Sequence, residues 1–266
     1  MRKAGLCFWW PAFFVCVLSL AGCASNWRGG TDGELPTSSD QTKAQKRAAI
    51  RLQLAIGYYQ RHEMQIALDE IKQALQADPD FSEAYSMRGL IYMDMGETRL
   101  AEENFLHAIR LAPNNSDFSN NYGWFLCQNG RPGESIAYFE ATLKNRNYGS
   151  PAKAMDNAGI CSLKLRDVAA AEKYFVRAFQ LDPGNTEVNA NLAKLYYGRP
   201  DYERANFYIG RVIKANVYDA DVLWLAIKIA HKTGDRLAEA TLGSQLHHYQ
   251  PTSSEYAAYQ RGAFDE

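Results

Sequence analysis

The chain has 266 residues, of which 47% are hydrophobic and 22% charged, a composition typical of a folded protein with a substantial core. Its 29 basic and 30 acidic residues give a formal net charge of -1. Because this balance provides no overall attraction to phosphate backbones, the composition argues against nucleic acid as a partner.

The first 22 residues have the features of an export signal. Two basic residues precede an apolar stretch from Leu6 to Leu20, which suits a cleaved secretory signal and is short for a spanning helix. The stretch ends in LAGC, which resembles a bacterial lipobox, in which the cysteine is acylated and becomes the first residue of the mature chain. We therefore expect a lipoprotein signal peptide over residues 1–22 and lipidation at Cys23. The alternative is an ordinary signal peptide with a chance cysteine.

Acyl chains such as palmitate on Cys23 would hold the mature chain on a membrane, since each buried methylene contributes roughly 0.8 kcal/mol. No later stretch reaches the roughly 18 apolar residues of a transmembrane helix, so attachment is expected through the lipid anchor only. Ala24, rather than aspartate, follows the cysteine, and resemblance to lipoprotein sorting then implies the periplasmic face of the outer membrane. Residues 23–43 are predicted to form the lipidated N-terminus and a flexible tether.

From residue 44 to the end, small and aromatic residues recur about every 34 residues. The clearest unit starts at Ser82 and contains Tyr85, Gly89, Tyr92, Ala101, Phe105, Ala108 and Pro113. Similar units start near residues 48, 116, 152, 186 and 220, and a stretch from about Lys43 extends the first helix. The spacing and residue types resemble the tetratricopeptide repeat, a pair of helices that buries its apolar faces only by stacking on its neighbours.

The repeats predict an all-α fold, a superhelix of six helix-turn-helix repeats over residues 44–266. The sixth unit has Glu239 and Gly243 where a small and an aromatic residue belong, and it is expected to be a polar-faced cap. Two extra residues near Asn147 are expected to loosen the joint between the third and fourth units. Stacked repeats with a capped end predict a monomer in the absence of a partner.

Two cysteines in the repeats, Cys127 and Cys161, keep free thiols if the signal peptide is removed and Cys23 is acylated. They could form a disulfide in an oxidising compartment. Two separate small residues are the favoured interpretation, because neighbouring repeat helices rarely bring Cα atoms within about 7 Å.

The first helix of each repeat is expected to line a concave groove that binds a partner. Three successive repeats have asparagine at their sixth position, and a row of amides can pair with the main chain of an extended peptide. The alternative is that these amides cap or bridge neighbouring helices. The predicted groove residues are Leu52, Gln53, Ile56, Tyr59, Leu90, Asn120, Asn121, Trp124, Asp156, Asn157, Ile160 and Asn191.

The sequence makes a separate prediction for each end of this groove. Lys194 and Lys228 predict a basic groove in the last two repeats. In the first repeat, Leu52, Ile56 and Tyr59 form a stripe that no preceding repeat covers, which predicts an exposed apolar binding face.

The sequence contains no pattern that predicts catalysis. The five histidines lack metal-ligand or triad spacing, and no glycine-rich phosphate-binding motif is present. We therefore expect no enzyme activity, no cofactor and no metal site.

The signal, tether and six repeats together resemble the type IV pilus biogenesis and stability lipoproteins, the PilF/PilW family. The resemblance covers the whole chain and is most specific in NNYGWFLC (120–127), NAGICSLKLRD (157–167) and AEKYFVRAFQLDPGN (171–185). It implies a pilotin, which binds a PilQ-like secretin subunit and promotes its outer-membrane localisation and multimerisation. Lipoprotein sorting machinery is then a second partner.

Two other functions remain open at this level, because a repeat fold alone does not define a partner. The chain could be a general periplasmic protein-protein scaffold in envelope assembly, or a non-catalytic subunit of an envelope enzyme. The sequence does not tell which secretin segment is bound or whether the protein remains in the assembled ring.

Overall fold

A computed structural model describes residues 41–265, and the predicted signal peptide, Cys23 and most of the tether lie outside this range. The described residues form one compact unit without a β-strand. Its helices are α1 (Lys43–Gln60), α2 (Met64–Ala77), α3 (Ser82–Asp94), α4 (Thr98–Leu111), α5 (Ser116–Gln128), α6 (Pro132–Lys144), α7 (Pro151–Lys164), α8 (Val168–Leu181), α9 (Thr186–Gly198), α10 (Tyr202–Lys214), α11 (Ala220–Thr233), α12 (Arg236–Tyr249) and α13 (Ser254–Arg261). The predicted all-α repeat architecture is confirmed.

Polar side chains at the helix starts explain where several helices begin. Thr42 accepts a hydrogen bond from the Gln45 backbone N–H, and the Gln45 side chain accepts one from the Thr42 N–H, which forms a capping box before α1. Asn115 and Asn185 cap α5 and α9 with their side-chain oxygens, which accept bonds from backbone N–H groups of the first turn. Helices α1 to α12 form six repeats of two helices each, from α1 with α2 to α11 with α12.

Glycine and phenylalanine pack against each other inside the central repeats. In the fourth repeat, a Cβ atom at Gly159 would lie 2.5 Å from Cε1 of Phe175. In the second repeat, a Cβ at Gly89 would lie 2.8 Å from the ring of Phe105. Both rings are fully buried, so the absence of a side chain on the first helix allows the second helix to approach. This contact is why the eighth position of these repeats is glycine.

We expect Gly159→Ala to destabilise the fold by about 1–3 kcal/mol, because the added methyl group would displace the buried Phe175 ring. Gly57→Ala is the matched control, since Gly57 lies inside α1 and a methyl group added there would meet no neighbouring side chain within 4 Å. That change should stabilise the helix by about 0.5–1 kcal/mol. Urea unfolding measures both, and equal midpoints for the two variants would contradict the packing explanation.

A disulfide joins the third and fourth repeats, and the prediction of two separate thiols was wrong. Cys127 of α5 and Cys161 of α7 are bonded through their sulfur atoms, with Cα atoms 5.8 Å apart. The first helices of these adjacent repeats pack side by side, which brings two buried positions 34 residues apart into bonding range. The joint between the third and fourth units, which was expected to be loose, is therefore crosslinked by this disulfide.

The C-terminal cap also differs from the prediction, because an additional helix, α13, follows the sixth repeat. Tyr259 of α13 occupies the space beside Gly243, where a repeat normally supplies its own aromatic ring. Ser253 caps α13 through the Tyr256 N–H, and Gly262 ends it in the left-handed conformation. These start and stop residues are the sequence signal that could have revealed the helix.

Candidate protein-binding site

An exposed apolar edge lies on α1, at the N-terminal side of the first repeat. Ile50 is 62% exposed and Leu54 is 42% exposed, although both lie within a helix whose other face is buried. We call this surface the first-repeat edge. Together with α2 it borders a hollow of about 540 Å³. The hollow is lined by Arg47, Ile50, Arg51, Leu54, Gln73, Gln76 and Ala77.

The later repeats show what this edge is suited to contact. Ile50 occupies the third position of its repeat, and the residues at that position in the other five repeats are all buried. These are Ala84, Phe118, Ala154, Val188 and Val222. Leu54 occupies the seventh position, where Tyr122 and Leu192 are buried against side chains of the preceding repeat. The first-repeat edge thus presents, uncovered, the residues with which one repeat packs on another.

The stripe that was predicted to be exposed in the first repeat is covered instead. Leu52 is buried, and Ile56 and Tyr59 are half-buried against the same hydrophobic cluster. The Tyr59 hydroxyl donates a hydrogen bond to Asp94 of α3. The prediction of an exposed face was wrong because this side of α1 packs against the following repeat. Ile50 and Leu54 lie on the side that a preceding repeat would cover, and residues 41–265 contain no repeat before α1.

The row of asparagines forms a ladder between repeats. The side-chain N–H groups of Asn121, Asn157 and Asn191 each donate to a residue at the fifth position of the preceding repeat. The acceptors are the Ser86 hydroxyl at 3.1 Å, the side-chain amide oxygen of Asn120 at 3.2 Å and the Asp156 carboxylate at 3.0 Å. These bonds compensate for the poor helix propensity of asparagine. The alternative interpretation, in which the amides bridge neighbouring helices, describes what the structure shows.

The ladder changes how several predicted groove residues can take part in binding. Asn120 and Asp156 are 2% and 5% exposed, because they accept bonds from the next repeat and do not stand open in the groove. Leu90, Trp124 and Ile160 are half-buried, and Gln53 is exposed. Trp124 packs on the cluster that contains the disulfide, while Tyr122 and Gly123 point to the core as predicted. That these side chains contact a partner stays a prediction.

The groove of the last two repeats is less basic than its lysines predict. Lys194 forms an ion pair with Asp221, with 2.9 Å between nitrogen and oxygen. The Lys228 ammonium lies over the rings of Tyr197 and Trp224, at 5.4 and 5.6 Å from their centres. Both cations therefore have partners within the repeats.

Comparisons with known proteins agree with the geometry. Two family models, each described as tetratricopeptide repeat, match residues 86–150 and 162–228. The crystal structure of PilW, described as a widely conserved type IV pilus biogenesis factor, superposes with a TM-score of 0.72 at 32% sequence identity. The superposition covers 98% of the PilW structure and 80% of this chain. The chain belongs to the PilF/PilW family.

Other members of the PilF/PilW family extend the match over nearly the whole chain. The type IV pilus assembly protein PilF of Pseudomonas aeruginosa is 27% identical over 247 residues, which cover 93% of this chain and 96% of that protein. A solved structure of Pseudomonas aeruginosa PilF superposes with a TM-score of 0.72, and the match covers all of that structure and 83% of this chain. This member of the family therefore has a role in type IV pilus biogenesis.

Proteins built from tetratricopeptide repeats typically act as non-catalytic scaffolds. Between residues 41 and 265, no group of three histidine, cysteine or acidic side chains could hold a metal ion. His107 stacks on Tyr85, and His231 stacks on Phe264 and contacts Glu239. Over the same range, no helix is both long and apolar enough to span a membrane.

Ile50 and Leu54 were not among the binding residues predicted from the sequence. A signal was present, because the third and seventh positions of the other repeats are mostly apolar. Whether such positions are exposed depends on a neighbouring repeat, and the first repeat of this PilF/PilW family member has none before α1 in the described chain.

Proposed function

We propose that this chain is an outer-membrane pilotin of the type IV pilus system. It is anchored by lipid at Cys23, binds the secretin subunit, and promotes the localisation and multimerisation of the secretin. The first-repeat edge carries the binding part of this proposal, because Ile50 and Leu54 offer an uncovered apolar surface to a secretin segment. The resemblance to the PilF/PilW lipoproteins supplies the identity of the partner.

Two further observations support the proposal. The sequence LAGC ending at Cys23 resembles a lipobox, and Ala24 follows it, which favours sorting to the outer membrane by the lipoprotein sorting machinery. The disulfide between Cys127 and Cys161 suits a protein of the oxidising periplasm, because disulfides persist in such compartments.

The proposal is tested by immunoblotting heat-resistant secretin multimers in outer-membrane fractions of wild-type, deletion and Cys23→Ser strains. We expect the multimers to be lost in the deletion strain and to be mislocalised in the Cys23→Ser strain. Cys16→Ser is the matched control, since Cys16 lies in the signal peptide that is removed, and it should behave as the wild type. Unchanged multimers in the deletion and Cys23→Ser strains would reject the pilotin proposal and favour a general periplasmic scaffold.

A further inference from the structure

A second hollow, of about 360 Å³, lies between the first helices of the last three repeats, α7, α9 and α11. It is separate from the first-repeat edge and includes Asp156, Ile160 and Asn191 of the predicted groove. Its lining is acidic: Asp156, Glu187, Asp219 and Asp221 contribute four carboxylates, against one ammonium group from Lys194. We call it the acidic hollow.

The lysine does not neutralise the acidic hollow. Its ammonium pairs with Asp221, on a part of the surface where both side chains are about half exposed. The other three carboxylates make no ion pair within residues 41–265. Glu187 and Asp221 lie in the first turns of α9 and α11, where the helix dipole partly offsets their charge. Asp156 lies in the middle of α7 and has no such compensation.

Asp156 is therefore the unusual group. It is 5% exposed, and the hydrogen bond that it accepts in the described chain comes from the Asn191 side chain. Burial raises the pKa of Asp156 to about 6, against the opposing effect of the Asn191 hydrogen bond, and Glu187 raises it further. A buried carboxylate without a cation costs stability unless a counter-charge arrives.

The asparagine ladder does not require this charge. In the two preceding rungs, the acceptors are the uncharged side chains of Ser86 and Asn120, which make the same kind of bond to the next repeat. An asparagine in place of Asp156 could also accept the bond from Asn191 through its side-chain oxygen. The hydrogen bond to Asn191 therefore does not explain why this position carries a negative charge. Ionisable groups with a perturbed pKa that line a hollow commonly mark functional sites.

The rest of the lining suits a long cationic side chain. Ile160, Val212, Val217 and Val222 provide apolar surface beside the carboxylates. The methylene stem of lysine or arginine packs on such surface while its charged end reaches polar groups. We propose that the acidic hollow binds a lysine or arginine side chain of a partner polypeptide, with Asp156 as its principal counter-charge.

A bound cation changes the titration of Asp156 in a defined direction. The free protein holds the pKa of Asp156 near 6, above its ordinary value of 3.8, so ionised Asp156 lowers the unfolding free energy as the pH rises through that range. An ammonium or guanidinium group within about 4–6 Å favours the ionised form and lowers the pKa by about one unit or more. Binding of the cation is therefore detectable as a lower pKa of the Asp156 carboxyl group.

The experiment follows the Asp156 carboxyl by NMR during a pH titration of the wild-type repeat domain. The probe is the blocked pentapeptide Ser-Ala-Lys-Ala-Ser at millimolar concentration, and the control peptide has norleucine in place of lysine. We expect the lysine peptide to lower the pKa of Asp156 by about one unit and the norleucine peptide to leave it unchanged. An unchanged pKa with both peptides, or the same change with both, would overturn the proposal.

Asp156→Asn tests the same site without a titration. The variant should fold and melt at pH 7 no lower than the wild type, since it keeps the ladder acceptor and removes a buried charge. In the wild type, we expect the lysine peptide to shift the NMR signals of the Asn191 side chain, because Asn191 is bonded to Asp156. We expect Asp156→Asn to lose this shift. The matched control is Asp69→Asn on the exposed surface of α2, which should retain this shift. Retention of the shift by Asp156→Asn would exclude Asp156 as the counter-charge.

Discussion

Replacing both Ile50 and Leu54 with glutamate is expected to reduce heat-resistant secretin multimers to the level of the deletion strain. Because Ile50 and Leu54 are 62% and 42% exposed, burying what remains of them at an interface contributes about 1.5–3 kcal/mol together. Their loss corresponds to at least about tenfold weaker binding. The added carboxylates would also have to be buried without partners. The measurement is the immunoblot of multimers in outer-membrane fractions.

The fold of this variant should be intact, because Ile50 and Leu54 are exposed and such substitutions usually change stability by less than about 0.5 kcal/mol. The matched control replaces Leu181 and Leu237 with glutamate, since these leucines are 55% and 79% exposed on α8 and α12, far along the chain from the first repeat. The control should assemble normal multimers. Normal multimers in both strains would exclude the first-repeat edge as the binding surface.

Removing the disulfide is expected to lower the stability of the repeat domain by about 3–4 kcal/mol. The bond closes a loop between residues 34 apart in sequence, and the loop-entropy relation gives this magnitude. For a domain of this size, the melting temperature should fall by roughly 6–16 °C. The variant is Cys127→Ala/Cys161→Ala, which avoids placing a polar hydroxyl at two fully buried positions.

Reduction provides the control for this prediction. Dithiothreitol should lower the melting temperature of the wild type towards that of the double variant and leave the double variant unchanged. In a linear array, cooperativity depends on the interfaces between neighbours, so loss of the bond should also broaden the transition. Equal melting temperatures for the oxidised wild type and the double variant would show that the interface between the third and fourth repeats needs no crosslink.

Much of the fold could be predicted because it depends on contacts within one repeat. The glycine at the eighth position and the aromatic ring at the twenty-fourth are 16 residues apart, and their packing produces the recurring pattern from which the helices were predicted. Tyr122 and Gly123 were assigned to the core for the same reason. Where one repeat lacked its own ring, at Gly243, the pattern could not show that Tyr259 of α13 replaces it.

The candidate site depended on contacts between repeats, and there the sequence was a weaker guide. Both faces of α1 are apolar, and only the direction of stacking decides that Leu52 is covered while Ile50 and Leu54 are not. The asparagines were identified, but their partners lie 35 to 37 residues away in neighbouring repeats.

By itself, the sequence determined the number of repeats, their helices, the packing inside each repeat and the resemblance to the PilF/PilW family. The tertiary structure decided which apolar face is left open, where the asparagine amides bond, that Cys127 meets Cys161, and that Asp156 is buried without a cation. The physical reason is the range of the contacts. A repeating pattern records the packing within its own period, whereas pairing between periods depends on how the superhelix stacks one repeat on the next.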